Sequence, residues 1–160
     1  MYDGILGYGL LRFANYFQYY MILQRAPQKA VVWGFGDTST KTTLQIRNKI
    51  YATKSNAQSM NEMNESIWSV TLDPAYDEGP FDIHVTQSLA NGTSVTITLH
   101  DVLFGDVWIC SGQSNLVMTV IPKIRIFTAE HAPSVTPIEE LIQIRQNWSL
   151  ASSTSIVGPS

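Results

Sequence analysis

Apolar and polar residues alternate in short runs along the first two thirds of the chain. The clearest runs are Thr43-Leu44-Gln45-Ile46-Arg47, Trp68-Ser69-Val70-Thr71-Leu72, Phe81-Asp82-Ile83-His84-Val85-Thr86 and Val95-Thr96-Ile97-Thr98-Leu99-His100-Asp101-Val102. A period of two is the mark of a strand with one buried face. Ala30 to Gly36 is a shorter β run closed by glycines, and the aromatic-rich stretch from Arg12 to Pro27 suits extended backbone better than helix. Asp37-Thr38-Ser39-Thr40, Asp73-Pro74, Glu78-Gly79-Pro80 and Asn91-Gly92 carry turn chemistry, and Asn-Gly is a strong hairpin signal. The polar residues 53–66 predict a loop. Several short strands with turns between them predict an all-β sandwich over residues 12–103, after a glycine-rich lead-in over 1–11.

The pattern changes near residue 104. Val107-Trp108-Ile109-Cys110 is continuously apolar, which predicts a strand buried on both faces of a parallel sheet. A small polar turn follows, Ser111-Gly112-Gln113-Ser114-Asn115. Leu116 to Val120 then reads as the first turns of a helix ended by Pro122, Ile124 to Phe127 as a second strand, and Ile138 to Gln146 as a helix-like run. Residues 104–150 are therefore expected to be the incomplete start of an α/β domain. Residues 151–160, rich in serine, are expected to be a disordered tail. One β-turn-α-β unit cannot cover both faces of a parallel sheet, so residues 104–160 are expected to expose apolar surface unless they pack on the sandwich, on a C-terminal portion or on a partner.

Composition narrows the partners. Charged residues make up 14% of the chain, against about 25% in ordinary soluble domains. The net charge is -3 with only 10 Lys and Arg, which leaves no basic stripe for nucleic acid. No apolar run approaches the ~18 residues of a spanning helix, so no membrane insertion is expected. Cys110 is the single cysteine, so no internal disulfide can form, and it reads as a packed strand residue. Three sequons, at Asn64, Asn91 and Asn147, point to glycosylation in the secretory pathway. The stretch from Met1 to Leu11 lacks a basic start and a long apolar core, which leaves the cytoplasm as the alternative compartment. His84 and His100 fall within strands. With no cluster of Cys or carboxylates at ligand spacing, neither a metal nor a cofactor is expected.

Residues 105–115 have the layout of a nucleophile elbow. An apolar strand fixes the backbone, Gly112 permits a tight turn, and Ser114 stands at the apex, where the amides of a following helix start could stabilise an oxyanion. The block Gly105-Asp106-Val107-Trp108-Ile109-Cys110-Ser111-Gly112-Gln113-Ser114-Asn115 resembles the nucleophile block of the sialate O-acetylesterases. The resemblance continues through Phe13-Ala14-Asn15-Tyr16, Met21-Ile22-Leu23-Gln24, Ala30 to Gly36, Gly79-Pro80-Phe81 and His100 to Asp106. It implies an N-terminal β-sandwich followed by an SGNH-like, flavodoxin-like α/β esterase domain. It also implies metal-free removal of O-acetyl groups, notably 9-O-acetyl, from sialic acids or sialoglycans in the lysosome or outside the cell.

On that resemblance Ser114 is the nucleophile, and Gly112, Gln113 and Asn115 belong to the oxyanion motif. The family's catalytic histidine and carboxylate lie downstream and match nothing in this chain. Serine without a positioned base is a poor nucleophile at neutral pH, so the chain alone is expected to be inactive. The alternative is a β-sandwich carbohydrate-binding or protein-interaction module. Its sugar-stacking candidates are Tyr16, Tyr19, Tyr20, Trp33 and Trp68, each of which can equally be a core residue.

Overall fold

The computed structural model describes residues 11–37, 41–53, 56–60, 66–89, 91–109 and 124–152, the backbone alone at 56–60. Every element among them is a strand: β1 (Arg12–Phe13), β2 (Ile22–Gln24), β3 (Val31–Gly36), β4 (Thr42–Ile46), β5 (Lys49–Thr53), β6 (Asn56–Met60), β7 (Ser66–Thr71), β8 (Phe81–Ser88), β9 (Ser94–Gly105), β10 (Arg125–Ala129) and β11 (Ile144–Leu150). They form a four-stranded sheet in the order β1-β3-β7-β6, a five-stranded sheet in the order β2-β9-β8-β4-β5 and a two-stranded sheet of β10 and β11. The chain divides into two compact units. One comprises Met1–Ala14, Val31–Asp73 and Ile83–Thr98, and the other Asn15–Ala30, Pro74–Asp82 and Leu99–Ser160.

In the first unit the period of two becomes burial. Along β4, Thr42, Leu44 and Ile46 are buried while Gln45 is exposed; along β7, Ser66, Trp68 and Val70 are buried; along β8, Ile83, Val85 and Gln87. β4 lies antiparallel to both β5 and β8, with Leu44 opposite Tyr51 on one side and Val85 on the other. β3 runs antiparallel to β7 from Val31↔Thr71 to Gly36↔Ser66. Trp68 is fully buried, and its indole N–H donates to the Phe35 carbonyl at 3.0 Å. Phe13 meets it edge-on at 5.6 Å. Gly34 makes room for it, since a Cβ there would sit 2.7 Å from Trp68 Cζ2 and 2.8 Å from Phe13 Cα. Gln87, fully buried, is satisfied by the Thr42 hydroxyl at 3.0 Å and by the Asp37 carbonyl and N–H. On the surface Lys49 pairs with Asp73 at 2.7 Å. The hydrogen bond to that carboxylate, then its charge, raises the Lys49 pKa above the ordinary lysine value.

The Asn-Gly signal marks the link between neighbouring strands β8 and β9. Gly92 takes a φ of 83°, and Asn91 Oδ1 accepts from the Thr93 N–H at 2.9 Å and from its hydroxyl at 2.6 Å. Side-chain contacts give the register. Asp82 meets His100, His84 meets Thr98 and Thr86 meets Thr96, so each step forward on β8 is a step back on β9.

The second unit holds β2 parallel to the end of β9, with Ile22, Leu23 and Gln24 opposite Leu103, Phe104 and Gly105. Its buried apolar residues include Phe17, Met21, Leu23, Ala75, Leu99, Val102 and Phe104. On β9 the buried set passes from Leu99 to Val102 and Phe104, three residues and then two. Asp101, at φ 55°, absorbs the extra residue as a bulge does.

Three expectations are corrected. Residues 53–66 were predicted as a loop, yet Asn56–Met60 pairs with β7 as the last strand of its sheet. Pairing uses backbone groups, and polar side chains are at home on an edge. The helix-like run from Ile138 to Gln146 is irregular up to Gln143 and then becomes β11. In a helix the N–H and C=O of Leu141 would bond four residues away. Here the Asn15 side chain takes both, with Leu141 N–H donating to Oδ1 at 3.2 Å and Nδ2 donating to the Leu141 carbonyl at 2.6 Å. Val107 to Ile109 is neither strand nor buried; Trp108 and Ile109 are 83% and 95% exposed. A continuous apolar run is buried only where layers cover both its faces, and none does so among the described residues. The predicted helix at Leu116–Val120 lies outside the described residues. The second expected strand is present as β10, and Ala151 extends its pairing by donating to the Ile124 carbonyl at 2.8 Å.

Trp68→Ala should lower the unfolding free energy by about 3–5 kcal/mol, because it opens a large cavity and frees the Phe35 carbonyl. Urea titration followed by tyrosine and tryptophan fluorescence measures it. A loss below about 1 kcal/mol would remove Trp68 from the centre of this core.

Candidate functional site

Ser114, Gly112, Gln113 and Asn115 lie outside the described residues, as does Cys110. The described chain supplies the two ends of the segment that carries them. β9 delivers the near end. There the Arg25 backbone N–H donates to the Gly105 carbonyl at 3.1 Å. Its guanidinium grips Asp106 in two parallel bonds, Nε to Oδ1 at 2.9 Å and NH2 to Oδ2 at 2.8 Å. This is the bidentate geometry that suits arginine and carboxylate. Both side chains are about half exposed, at 51% and 58%.

Arg125, the first residue of β10, holds the far end. Its side chain is only 7% exposed. NH1 donates to the Asp101 carbonyl and NH2 to Asp101 Oδ1 at 3.3 Å, and the guanidinium carbon lies 5.7 Å from the centre of the Tyr20 ring. Its Nε is buried without a hydrogen-bond partner among the described residues. Asp101 is itself held by Asp82, whose Oδ1 accepts the Asp101 N–H at 3.1 Å. Asp82 Oδ2 lies 3.0 Å from His100 Nδ1, and Tyr19 meets the His100 ring at 5.1 Å between centres, nearly perpendicular.

One amide side chain, Gln18, and the Trp148 indole hold β11 to the chain near Tyr16. Gln18 Oε1 accepts from the Trp148 N–H at 3.3 Å, and Gln18 Nε2 donates to the Asn15 carbonyl at 3.1 Å. The Trp148 indole N–H donates to the Tyr16 carbonyl at 3.2 Å, and its ring stacks on Phe127 at 5.4 Å.

The other sequence candidates separate by exposure. His84 is half-buried, with Nδ1 at 2.9 Å from the Thr98 hydroxyl, and His131 is exposed in irregular chain. No group of three or more His, Cys, Asp or Glu among the described residues is arranged to hold a metal. Asn91 and Asn147 are exposed, whereas Asn64 lies outside the described residues. Of the sugar-stacking candidates, Trp68 is excluded by complete burial, and Trp33 and Tyr16 are half-buried. Tyr19 and Tyr20 remain, 52% and 49% exposed. Sequence reading passed over Arg25, Asp101 and Arg125. Arg125 left one signal, a cation between two isoleucines, where a buried charge needs a partner.

No family model matches the chain. Comparison with curated proteins gives sialate O-acetylesterases: that of Mus musculus is 35% identical over 153 residues, covering 86% of this chain and 28% of its own length. That of Rattus norvegicus is 40% identical over 133 residues, covering 83% of this chain and 24% of its own length. That of Homo sapiens is 33% identical over 160 residues, covering 91% and 30%. The chain is similar to sialate O-acetylesterases over most of its length. It spans under a third of the length of these relatives. Among solved structures, a carbohydrate acetylesterase from Xanthomonas citri superposes with a TM-score of 0.69 at 22% identity, covering 87% of this chain and 32% of its own. That likeness concerns the fold.

The two arginine–aspartate pairs differ in burial, so they should differ in energy. Arg25→Met should cost less than about 1 kcal/mol, as exposed pairs do. Arg125→Met should cost roughly 2–3 kcal/mol, below the full value of a buried pair because Asp101 keeps part of its water. Denaturant titration of both variants decides it; equal losses would contradict the ranking.

Proposed function

We propose that the chain is the N-terminal portion of a serine ester hydrolase of the sialate O-acetylesterase kind, with Ser114 as its nucleophile and an SGNH-like domain beginning near residue 104 after a β-sandwich. The observation that carries the reading is 33–40% identity to sialate O-acetylesterases across most of the chain. The eleven-residue block around Ser114 adds the chemistry. The Ser114 hydroxyl attacks the acetyl carbonyl, its proton passes to a base, and the sugar oxygen leaves with a proton. Water then releases acetate from the acyl-enzyme. Gly112, Gln113 and Asn115 surround the developing oxyanion, a task in which one well-placed donor is worth about 3 kcal/mol. No metal or cofactor takes part in this scheme.

The base and its carboxylate come, on the resemblance, from sequence outside these 160 residues. The substrate class is O-acetylated sialic acid, free or on a glycan. Location follows the same reading: lysosomal or secreted, with glycans at Asn64, Asn91 and Asn147. If so, chain produced through the secretory pathway drops in mass on glycosidase treatment. An unchanged mass in the triple variant lacking Asn64, Asn91 and Asn147, but not in the parent, would assign the sugar to these sites; no change in the parent would reject this location.

A chimera tests the chemistry. The stretch of this chain that aligns with the Mus musculus enzyme replaces its counterpart there, and acetate release from 9-O-acetylated sialic acid is followed. Turnover is expected, with a fall of at least about 1,000-fold in Ser114→Ala. The 160-residue chain by itself is expected to release none. Turnover that survives Ser114→Ala would overturn the assignment.

A further inference from the structure

The turn at Tyr19 and Tyr20 leaves both rings about half exposed, Tyr19 against the His100 ring and Tyr20 near the Arg125 guanidinium. Tyr20 holds a φ of 66°, which a bulky side chain rarely adopts. Its N–H donates to the His100 carbonyl at 3.1 Å, and the following Met21 N–H donates to the Gln18 carbonyl at 3.3 Å. Strain of this kind persists only where the surroundings fix it, and it concentrates at ligand-binding places. Here it serves to present two tyrosine rings, each about half exposed, instead of burying them.

Beside Tyr19 stands a polar pair. His100 and Asp82 have side chains 52% and 46% exposed and meet at 3.0 Å. An ionised carboxylate only accepts, so His100 Nδ1 carries the proton in that bond. In the neutral ring Nε2 is then an acceptor. The patch therefore offers an aromatic surface, a carboxylate and an oriented imidazole, all within the unit that contains Asn15–Ala30, Pro74–Asp82 and Leu99–Ser160.

We infer that Tyr19, Tyr20, Asp82 and His100 form a surface subsite for a neutral pyranose. A pyranose has an apolar C–H face that fits a tyrosine ring and a rim of hydroxyls that donate to Asp82 and His100 Nε2. Charge selects against an acidic sugar. Arg125, which lies near Tyr20, is 7% exposed and bonded to Asp101, so it is not free to receive a sugar carboxylate, which would instead meet Asp82. Tyrosine loses little rotamer freedom on binding, and the turn has already fixed these two. The site goes beyond the esterase reading and stands without it, since nothing in it requires Ser114 to react.

Saturation-transfer NMR on the 160-residue chain tests the subsite, with methyl β-galactopyranoside and methyl β-glucopyranoside as probes and N-acetylneuraminic acid as the comparator. Transfer to at least one neutral probe is expected, with weak or no transfer to N-acetylneuraminic acid. Tyr19→Ala should weaken the neutral probe roughly tenfold, while Tyr19→Phe keeps it. Asp82→Asn should also weaken it. Should Asp82→Asn disturb the fold around Asp101, the exposed Tyr19 pair of variants still decides the matter. The inference fails if neither neutral probe receives transfer, if transfer survives Tyr19→Ala undiminished, or if N-acetylneuraminic acid binds better than both. A negative result here leaves the chimera experiment untouched, and a dead chimera leaves this one untouched.

Discussion

Asp101 sits in the left-handed region, at φ 55°, inside a strand of 12 residues. A strand keeps one face buried only while its period of two is unbroken. β9 needs a break, because Leu99 on one side and Val102 and Phe104 on the other are all buried. One residue at positive φ supplies it, and aspartate is among the few non-glycine residues suited to that conformation. The bulge leaves polar backbone groups to satisfy, and they recruit their neighbours. Asp82 accepts the Asp101 N–H, and Arg125 donates to the Asp101 carbonyl and carboxylate. Asp82 also reaches His100, and the His100 carbonyl accepts from Tyr20.

That chain of bonds connects the candidate chemistry to the fold. The segment between Gly105 and Arg125 has an arginine–aspartate pair at each end, Arg25 with Asp106 and Arg125 with Asp101. The first is half exposed, whereas the second has its arginine largely buried. The same bulge holds Asp82 and Arg125, and through Asp82 it holds His100 beside Tyr19.

Much of the strand content was legible. β4, β7, β8 and the first half of β9 coincide with alternating runs, because each has one buried and one open face. The hairpin at Asn91-Gly92 was legible from turn chemistry. β6 was missed because an edge strand needs only backbone partners. The run from Ile138 to Gln146 was misread because the competitor for its backbone bonds, Asn15, is more than a hundred residues away in sequence. The exposed stretch from Val107 to Ile109 is the reverse case: apolar composition records what a segment can bury, and burial itself depends on a covering layer.

By itself the sequence determined the short-range physics: which residues alternate, where glycine and asparagine turn the chain, and which eleven-residue block resembles that of the sialate O-acetylesterases. Those properties depend on neighbours two to four positions apart. Only the tertiary structure decided that Trp68 belongs to the core while Tyr19 and Tyr20 face outward, that Arg125 answers Asp101, and that β9 shifts phase at a single aspartate. These outcomes depend on which distant strand supplies the partner, and burial and pairing energies reward that choice in space, where distance along the chain no longer counts.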